Sequence, residues 1–148
     1  MTLEQRIDDD YVTALRAGDD GRKATLRLLR AELKNATIAN GGPLDDEAVT
    51  RLLAQQAKQR RDSAAQYGAA GRDDLVANEM AELAVIEDYL PRQLAPEEIE
   101  EAARRLIDEV GATGPADTGR VMGPLMAQLA GQADGKQVSE IVRRLLAG

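Results

Sequence analysis

The chain contains no cysteine and no histidine. Those two absences exclude a disulfide, a thiolate nucleophile, a Cys/His zinc site and an imidazole base. Phenylalanine and tryptophan are missing as well, and Tyr11, Tyr67 and Tyr89 are the whole aromatic complement. A core must then be assembled from Leu, Ile, Val, Met and Ala. That palette suits helices, because strands draw on aromatic and β-branched side chains to cover a pleated surface. Neither a long apolar run nor a charged leader followed by an apolar stretch occurs, so the expectation is a cytoplasmic protein with no membrane partner.

What is present is 148 residues with 43% hydrophobic content, enough for one domain or two very small ones. The net charge of −7 weighs against a nucleic-acid partner, since binding to phosphate rests on clustered Lys and Arg. Its distribution is uneven, however. Residues 22–61 hold nine basic and four acidic side chains, whereas 73–109 hold three basic and twelve acidic. The molecule is therefore expected to be electrically polarised.

Helix start and stop signals divide the chain into seven helices. Thr2 and Gln5 form a capping-box pattern ahead of the first, which ends near Gly18. The second runs from about Arg22 to Asn40, where Gly41-Gly42-Pro43 stops it. Asp45 or Asp46 can cap the third, whose inward side is Val49, Leu52, Leu53, Ala57 and Ala64. The fourth, from about Asp73 to Leu90, aligns Val76, Met80, Leu83 and Leu90. Pro91 to Pro96 reads as a short stiff linker, because both prolines fix φ and restrict the residue before them.

Beyond it, Pro96, Glu97 and Glu98 suit a helix start, with Ile99, Ala103, Leu106 and Val110 facing inward. A sixth helix capped by Asp117 carries Met122, Leu125, Met126 and Leu129 and must accommodate Pro124. A seventh capped by Asp134 buries Val138, Ile141, Val142 and Leu145. The expected fold is all-α: a helical N-terminal domain of about four helices (1–90), a Pro-bounded linker (91–96) and a small three-helix C-terminal domain (97–148).

In the second helix Lys23, Arg27, Arg30 and Lys34 follow i, i+4, i+7, i+11 spacing. At ~100° per residue they share a sector of about 60° beside the apolar stripe of Leu26, Leu29 and Leu33. A row of cations on a rigid helix matches a phosphate backbone. The plainer alternative is a solvated face, or one paired with the acidic fourth and fifth helices. Lys58, Arg60 and Arg61 form a second group, with Asp62 available to Lys58 and with Arg60 pointing toward the interface side, its stem laid along that interface or its charge paired with an acid. Gly131-Gln132-Ala133-Asp134-Gly135-Lys136 reads as a turn with an N-cap, or as a loop offering N–H groups to an anion. No catalytic residue, cofactor or metal site emerges. Ser63 and Ser139 lie in no nucleophile pattern, and the consecutive acids Asp8-Asp9-Asp10 and Glu97-Glu98 fan out around their helices.

Four stretches together resemble the GatB/YqeY family over nearly the whole chain. They are Leu26-Arg27-Leu28-Leu29-Arg30-Ala31-Glu32-Leu33-Lys34-Asn35, Lys58-Gln59-Arg60-Arg61-Asp62-Ser63, Ile86-Glu87-Asp88-Tyr89-Leu90-Pro91-Arg92-Gln93-Leu94, and the tail Gly119-Arg120-Val121-Met122-Gly123 with Gly131-Gln132-Ala133-Asp134-Gly135. The resemblance implies a helical N-terminal part joined to a small helical domain shared with the tail of the B subunit of glutamine-dependent aminoacyl-tRNA amidotransferase. It implies an accessory module that contacts tRNA and lacks the catalytic part. Where the family pattern carries Lys after Gly119 and after Gly131, this chain has Arg120 and Gln132, with Lys136 four residues further on. The expected RNA-binding set is thus Lys23, Arg27, Arg30, Lys34, Lys58, Arg61, Arg120 and Lys136. A protein-interaction module is the alternative, and a carbon–nitrogen ligase using glutamine as amide donor is a third reading carried by homology alone.

Overall fold

The computed structural model describes residues 1–148, and every regular element in it is helical. Seven α-helices occur in chain order: α1 (Leu3–Ala17), α2 (Asp20–Asn40), α3 (Asp46–Ala69), α4 (Asp73–Glu87), α5 (Pro96–Val110), α6 (Thr118–Leu129) and α7 (Gly135–Ala147). A short 3-10 turn, Pro115–Asp117, precedes α6. The chain divides into two compact units, Met1–Leu90 and Pro91–Gly148.

Local chemistry sets the helix ends in the first unit. Thr2 Oγ1 accepts from the Gln5 amide at 3.1 Å while Gln5 Oε1 accepts from the Thr2 amide at 2.9 Å, so both orphan donors are satisfied reciprocally. Asp19 caps α2 by accepting from the Arg22 amide, and Gly41 ends that helix at φ 75°, a left-handed position that a Cβ would disfavour. Of the two candidates for α3, Asp45 is the cap, accepting from the Ala48 amide at 2.8 Å. Asp46 instead accepts from the Leu3 amide at 2.9 Å and ties the start of α1 to the start of α3.

The first core joins Ile7 and Ala14 of α1, Leu26, Leu29 and Leu33 of α2, Val49, Leu53 and Ala57 of α3, and Leu83, Ile86 and Tyr89 from α4 and the turn after it. In α4 the inward face differs from the expected stripe. Met80 is exposed, and the covered positions are Leu75, Val76, Glu79, Glu82, Leu83, Val85, Ile86 and Glu87. The face therefore includes carboxylates, and α3 supplies their partners. Arg60 is mostly covered and bonds Glu82 Oε2 at 3.0 Å and Gln56 Oε1 at 2.8 Å, while Arg61 reaches Glu87 at 3.4 Å. The helix ends at Glu87, and Tyr89 and Leu90 bond back to Ile86 and Glu87 in tighter i to i+3 turns ahead of Pro91.

In the second unit α5, α6 and α7 enclose Ile99, Ala103, Leu106, Val121, Leu125, Leu129, Val138, Ile141, Val142 and Leu146. Val121 and Leu146 are buried where Met122 and Leu145 were expected, and those two pack at the margin. Glu98 Oε1 accepts from the Ala95 amide at 3.1 Å and its carboxylate takes both guanidinium arms of Arg92 at 2.8 and 3.1 Å. Neither Asp117 nor Asp134 caps its helix through the side chain. Asp117 accepts instead from the Thr113 amide at 2.9 Å. Ala130 takes φ 41°, at a cost of about 1–2 kcal/mol for a residue with a Cβ, and turns the chain into Gly131. The loop so formed holds residues 91–94: the Leu94 amide donates to Gln132 O at 2.8 Å and Gln93 Nε2 to Gly131 O at 3.1 Å.

Candidate functional site

Helical periodicity places Arg27, Arg30 and Lys34 on one face of α2, and the packing of α1 against that face turns it into an open groove of about 440 Å³. Glu4 and Asp8 of α1 form one wall; Arg27, Arg30, Ala31, Lys34, Thr37 and Ile38 form the other. Lys23 lies outside the groove, bonded to Asp20 at 3.3 Å.

The three groove cations are not equivalent. Arg30 Nε bonds Asp8 at 2.8 Å and its guanidinium lies 4.4 Å from the centre of the Tyr11 ring, so it is held on two sides. Arg27 donates a long 3.4 Å hydrogen bond to the Tyr11 hydroxyl, which holds that phenol below its usual pKa, and makes no ion pair. Lys34 is exposed and has neither an ion pair nor a side-chain hydrogen bond. On the opposite wall Glu4 is half-buried and equally uncommitted. The bland alternative of pairing with the acidic fourth and fifth helices therefore does not describe this row, whose one long-range ion pair goes to α1.

Other expected cations are dispersed. Lys58 is exposed with no partner, Asp62 included; Arg61 is engaged by Glu87. In the second unit Arg120 bonds Val110 O at 2.7 Å and Asp117 at 3.3 Å, closing the end of α5. Lys136 is exposed and unpaired in the first turn of α7. In the Gly131 loop the Gln132 amide bonds Leu129 O, and the loop carbonyls receive residues 93 and 94. Gln132 Nε2 donates to Arg92 O at 3.3 Å, so this residue has a structural use where the family pattern carries Lys.

The consecutive acids diverge as their spacing requires. Asp8 faces Arg30, whereas Asp10 accepts from the buried Tyr89 hydroxyl at 2.5 Å. Burial and the adjacent carboxylate push the Tyr89 phenol above its usual pKa. Arg6 stacks 4.8 Å from that ring and bonds Asp88 O, and Arg22 pairs with the Asp88 carboxylate at 3.0 Å. This cluster pins the end of α4 to α1 and α2. No group of three or more His, Cys, Asp or Glu side chains is placed to hold a metal ion, and no helix is long and apolar enough to cross a membrane. Glu4, Asp8 and Tyr11 were missed as site residues because they join the cations only through the packing of α1 on α2.

A family model described as Yqey-like protein matches residues 4–146, and the chain belongs to that family. Among curated relatives, "Altered inheritance of mitochondria protein 41, mitochondrial" of Pyrenophora tritici-repentis is 28% identical over 95% of this chain and 79% of its own length. The proteins of the same name from Lachancea thermotolerans and Saccharomyces cerevisiae are 36% and 30% identical, over 74% and 69% of this chain. The chain spans only 60% and 57% of those two relatives. All three are named as mitochondrial proteins, which overturns the expectation of a cytoplasmic location; the lack of a long apolar run carried no information on compartment.

Proposed function

We propose that this YqeY-like chain is a tRNA-binding accessory module related to aminoacyl-tRNA amidotransferase, without catalysis of its own. The observation that carries the reading is the groove between α1 and α2, where Arg27 and Lys34 stand two turns apart on one face of a rigid helix with no acidic partner. Uncommitted cations in a row are what a phosphate backbone needs, since no internal ion pair has to break before it binds. Membership of the Yqey-like family supports the same reading, as does the resemblance, one of sequence alone, of the tail residues 119–123 and 131–135 to the B subunit of the amidotransferase. Of the wider cation set, Lys58 and Lys136 are the other unpaired candidates, while Lys23, Arg30, Arg61 and Arg120 are held by internal bonds. The ligase reading has less support: neither Ser63 nor Ser139 makes a side-chain hydrogen bond to a base. On the same footing we read the two compact units as domains of four and three α-helices, with residues 91–96 attached to the second.

The test is a titration of labelled bulk tRNA at about 50 and 200 mM salt, with the wild type and the Arg27→Ala, Lys34→Ala double variant. Two phosphate contacts give a slope near −1.8 in log K against log salt, so affinity falls about tenfold over that range. The double variant is expected to bind weakly with a flat salt response. Unchanged binding by the variant would place the site on other cations, and no binding by the wild type at low salt would overturn the reading in favour of a protein-interaction module.

A further inference from the structure

The groove holds an unpaired carboxylate as well as unpaired cations, and this pairing of opposites carries information that a phosphate contact alone does not use. Glu4, half-buried in the first turn of α1, and Lys34, exposed on α2, line the same cleft yet form no ion pair with each other or with anything else. The same cleft is lined by Ala31 and the methyl-bearing Thr37 and Ile38, with Ile38 70% exposed. Asp8 and Arg30 are locked together and stiffen the cleft without offering free charge. A phosphate contact alone would leave Glu4 unused. An uncharged or cationic ligand would leave Arg27 and Lys34 unused. The ligand that fits both walls carries an anion at one end and a pair of hydrogen-bond donors at the other, with a flat apolar body between.

We propose that the groove between α1 and α2 seats one unpaired guanine nucleotide of a single-stranded RNA segment, with its phosphate on Arg27 and Lys34 and its Watson–Crick edge on Glu4. This deepens the tRNA reading and rests on it. An ionised carboxylate is an acceptor only, so it selects bases by the donors they present. Guanine offers N1–H and the N2 amine side by side, a match for both carboxylate oxygens. Uracil flanks its single N–H with two carbonyl oxygens that face the carboxylate unfavourably. Such edges are open only where the strand is unpaired, which is where sequence-specific RNA recognition takes place. The volume of about 440 Å³ lies within the usual range of small-ligand clefts, roughly 300–1,000 Å³.

The experiment uses the full chain and labelled five-nucleotide strands of uridine whose central base is set in turn to G, A, C or U, beside an RNA duplex and bulk tRNA. The G strand is expected to bind about tenfold more tightly than the all-U strand, with the duplex weaker than both. Glu4→Gln should erase that preference, because the amide replaces one acceptor with a donor, while Lys34→Ala should weaken all four strands alike. Both positions make no internal side-chain bond, so both variants are expected to fold as the wild type does. Equal affinity for the four strands, with bulk tRNA still bound in a salt-sensitive way, would overturn the inference and leave the tRNA reading standing. A preference that survives Glu4→Gln would also overturn it. Failure of strands and tRNA alike to bind at low salt would overturn both.

Discussion

Replacing Arg60 by Met tests whether the polar seam between α3 and α4 stabilises the first unit. Methionine keeps much of the arginine stem and so preserves its packing, but it removes the 3.0 Å bond to Glu82 and the 2.8 Å bond to Gln56. Gln56 is buried and loses its carbonyl partner, while the Glu82 side chain is 31% exposed and recovers part of its hydration. An unsatisfied buried polar group costs about 1–3 kcal/mol, and taking the bottom of that range, about 1 kcal/mol, for each gives about 2 kcal/mol. Urea is the suitable denaturant because it does not screen ion pairs. With a slope of about 1–1.5 kcal/mol per molar, the midpoint should fall by about 1.5–2 M. All three tyrosines lie in Met1–Leu90, so tyrosine fluorescence follows that unit alone while circular dichroism follows both. The double variant Arg60→Met, Glu82→Met should recover up to about half of the loss, the Glu82 share, because removing both partners is far cheaper than orphaning one while Gln56 stays unpaired. A midpoint unchanged within about 0.4 M in the single variant would refute the reasoning, and so would a double variant no more stable than the single.

Two further predictions concern the second unit. Hydrogen bonds from Arg92, and then from the Ala95 amide, hold the Glu98 carboxyl down to about 2 from its ordinary 4.5. A depressed carboxylate stabilises the folded state above the unfolded value and loses that contribution as pH falls through the folded one. Ellipticity should therefore become less resistant to urea between about pH 4.5 and 2, and Glu98→Gln should flatten that part of the profile; a wild-type side-chain titration near 4.5 by NMR would rule this out. Ile99 is wholly buried among α5, α6 and α7, so Ile99→Ala should cost about 2–5 kcal/mol and move the unfolding transition of this tyrosine-free unit well below the tyrosine transition. Coincident shifts of both transitions would show that the two units unfold as one.

How much of this was legible in the chain depends on whether the cause was local. The Thr2/Gln5 box, the Asp45 cap and the Gly41 stop involve residues within a few positions of each other, and each appears where the sequence places it. The phase of α4 was not local. Counting apolar residues puts Met80 inside, yet the inward side carries Glu79, Glu82 and Glu87, because Arg60 and Arg61 arrive from α3 to neutralise the last two. A carboxylate reads as solvated until its partner is known. The same holds for Asp117 and Asp134, whose positions suit caps but whose side chains do not bond the helix amides. The site was half legible for this reason: the row on α2 follows from 3.6-residue periodicity, whereas Glu4 and Tyr11 enter it only through the packing of α1.

The charge segregation along the chain takes on a different meaning once folded. Arg22, Arg60 and Arg61 from the basic segment pair with Asp88, Glu82 and Glu87 from the acidic one, so much of the apparent polarity is consumed within the first unit. Arginine suits that task, since its planar fork can hold two partners at once, as Arg60 does, or clamp one carboxylate with both arms, as Arg92 does. Lysine, a hydrated point charge on a flexible stem, is left over: Lys34, Lys58 and Lys136 have no ion pair. A count of basic residues weights all nineteen cations alike and returns an acidic protein with little reason to meet phosphate. What governs binding is the set that need break nothing to engage. In the α1–α2 groove that set is Lys34 with Arg27, facing a carboxylate that is equally free, and under the proposed reading it is these groups, not the net charge, that would meet a ligand.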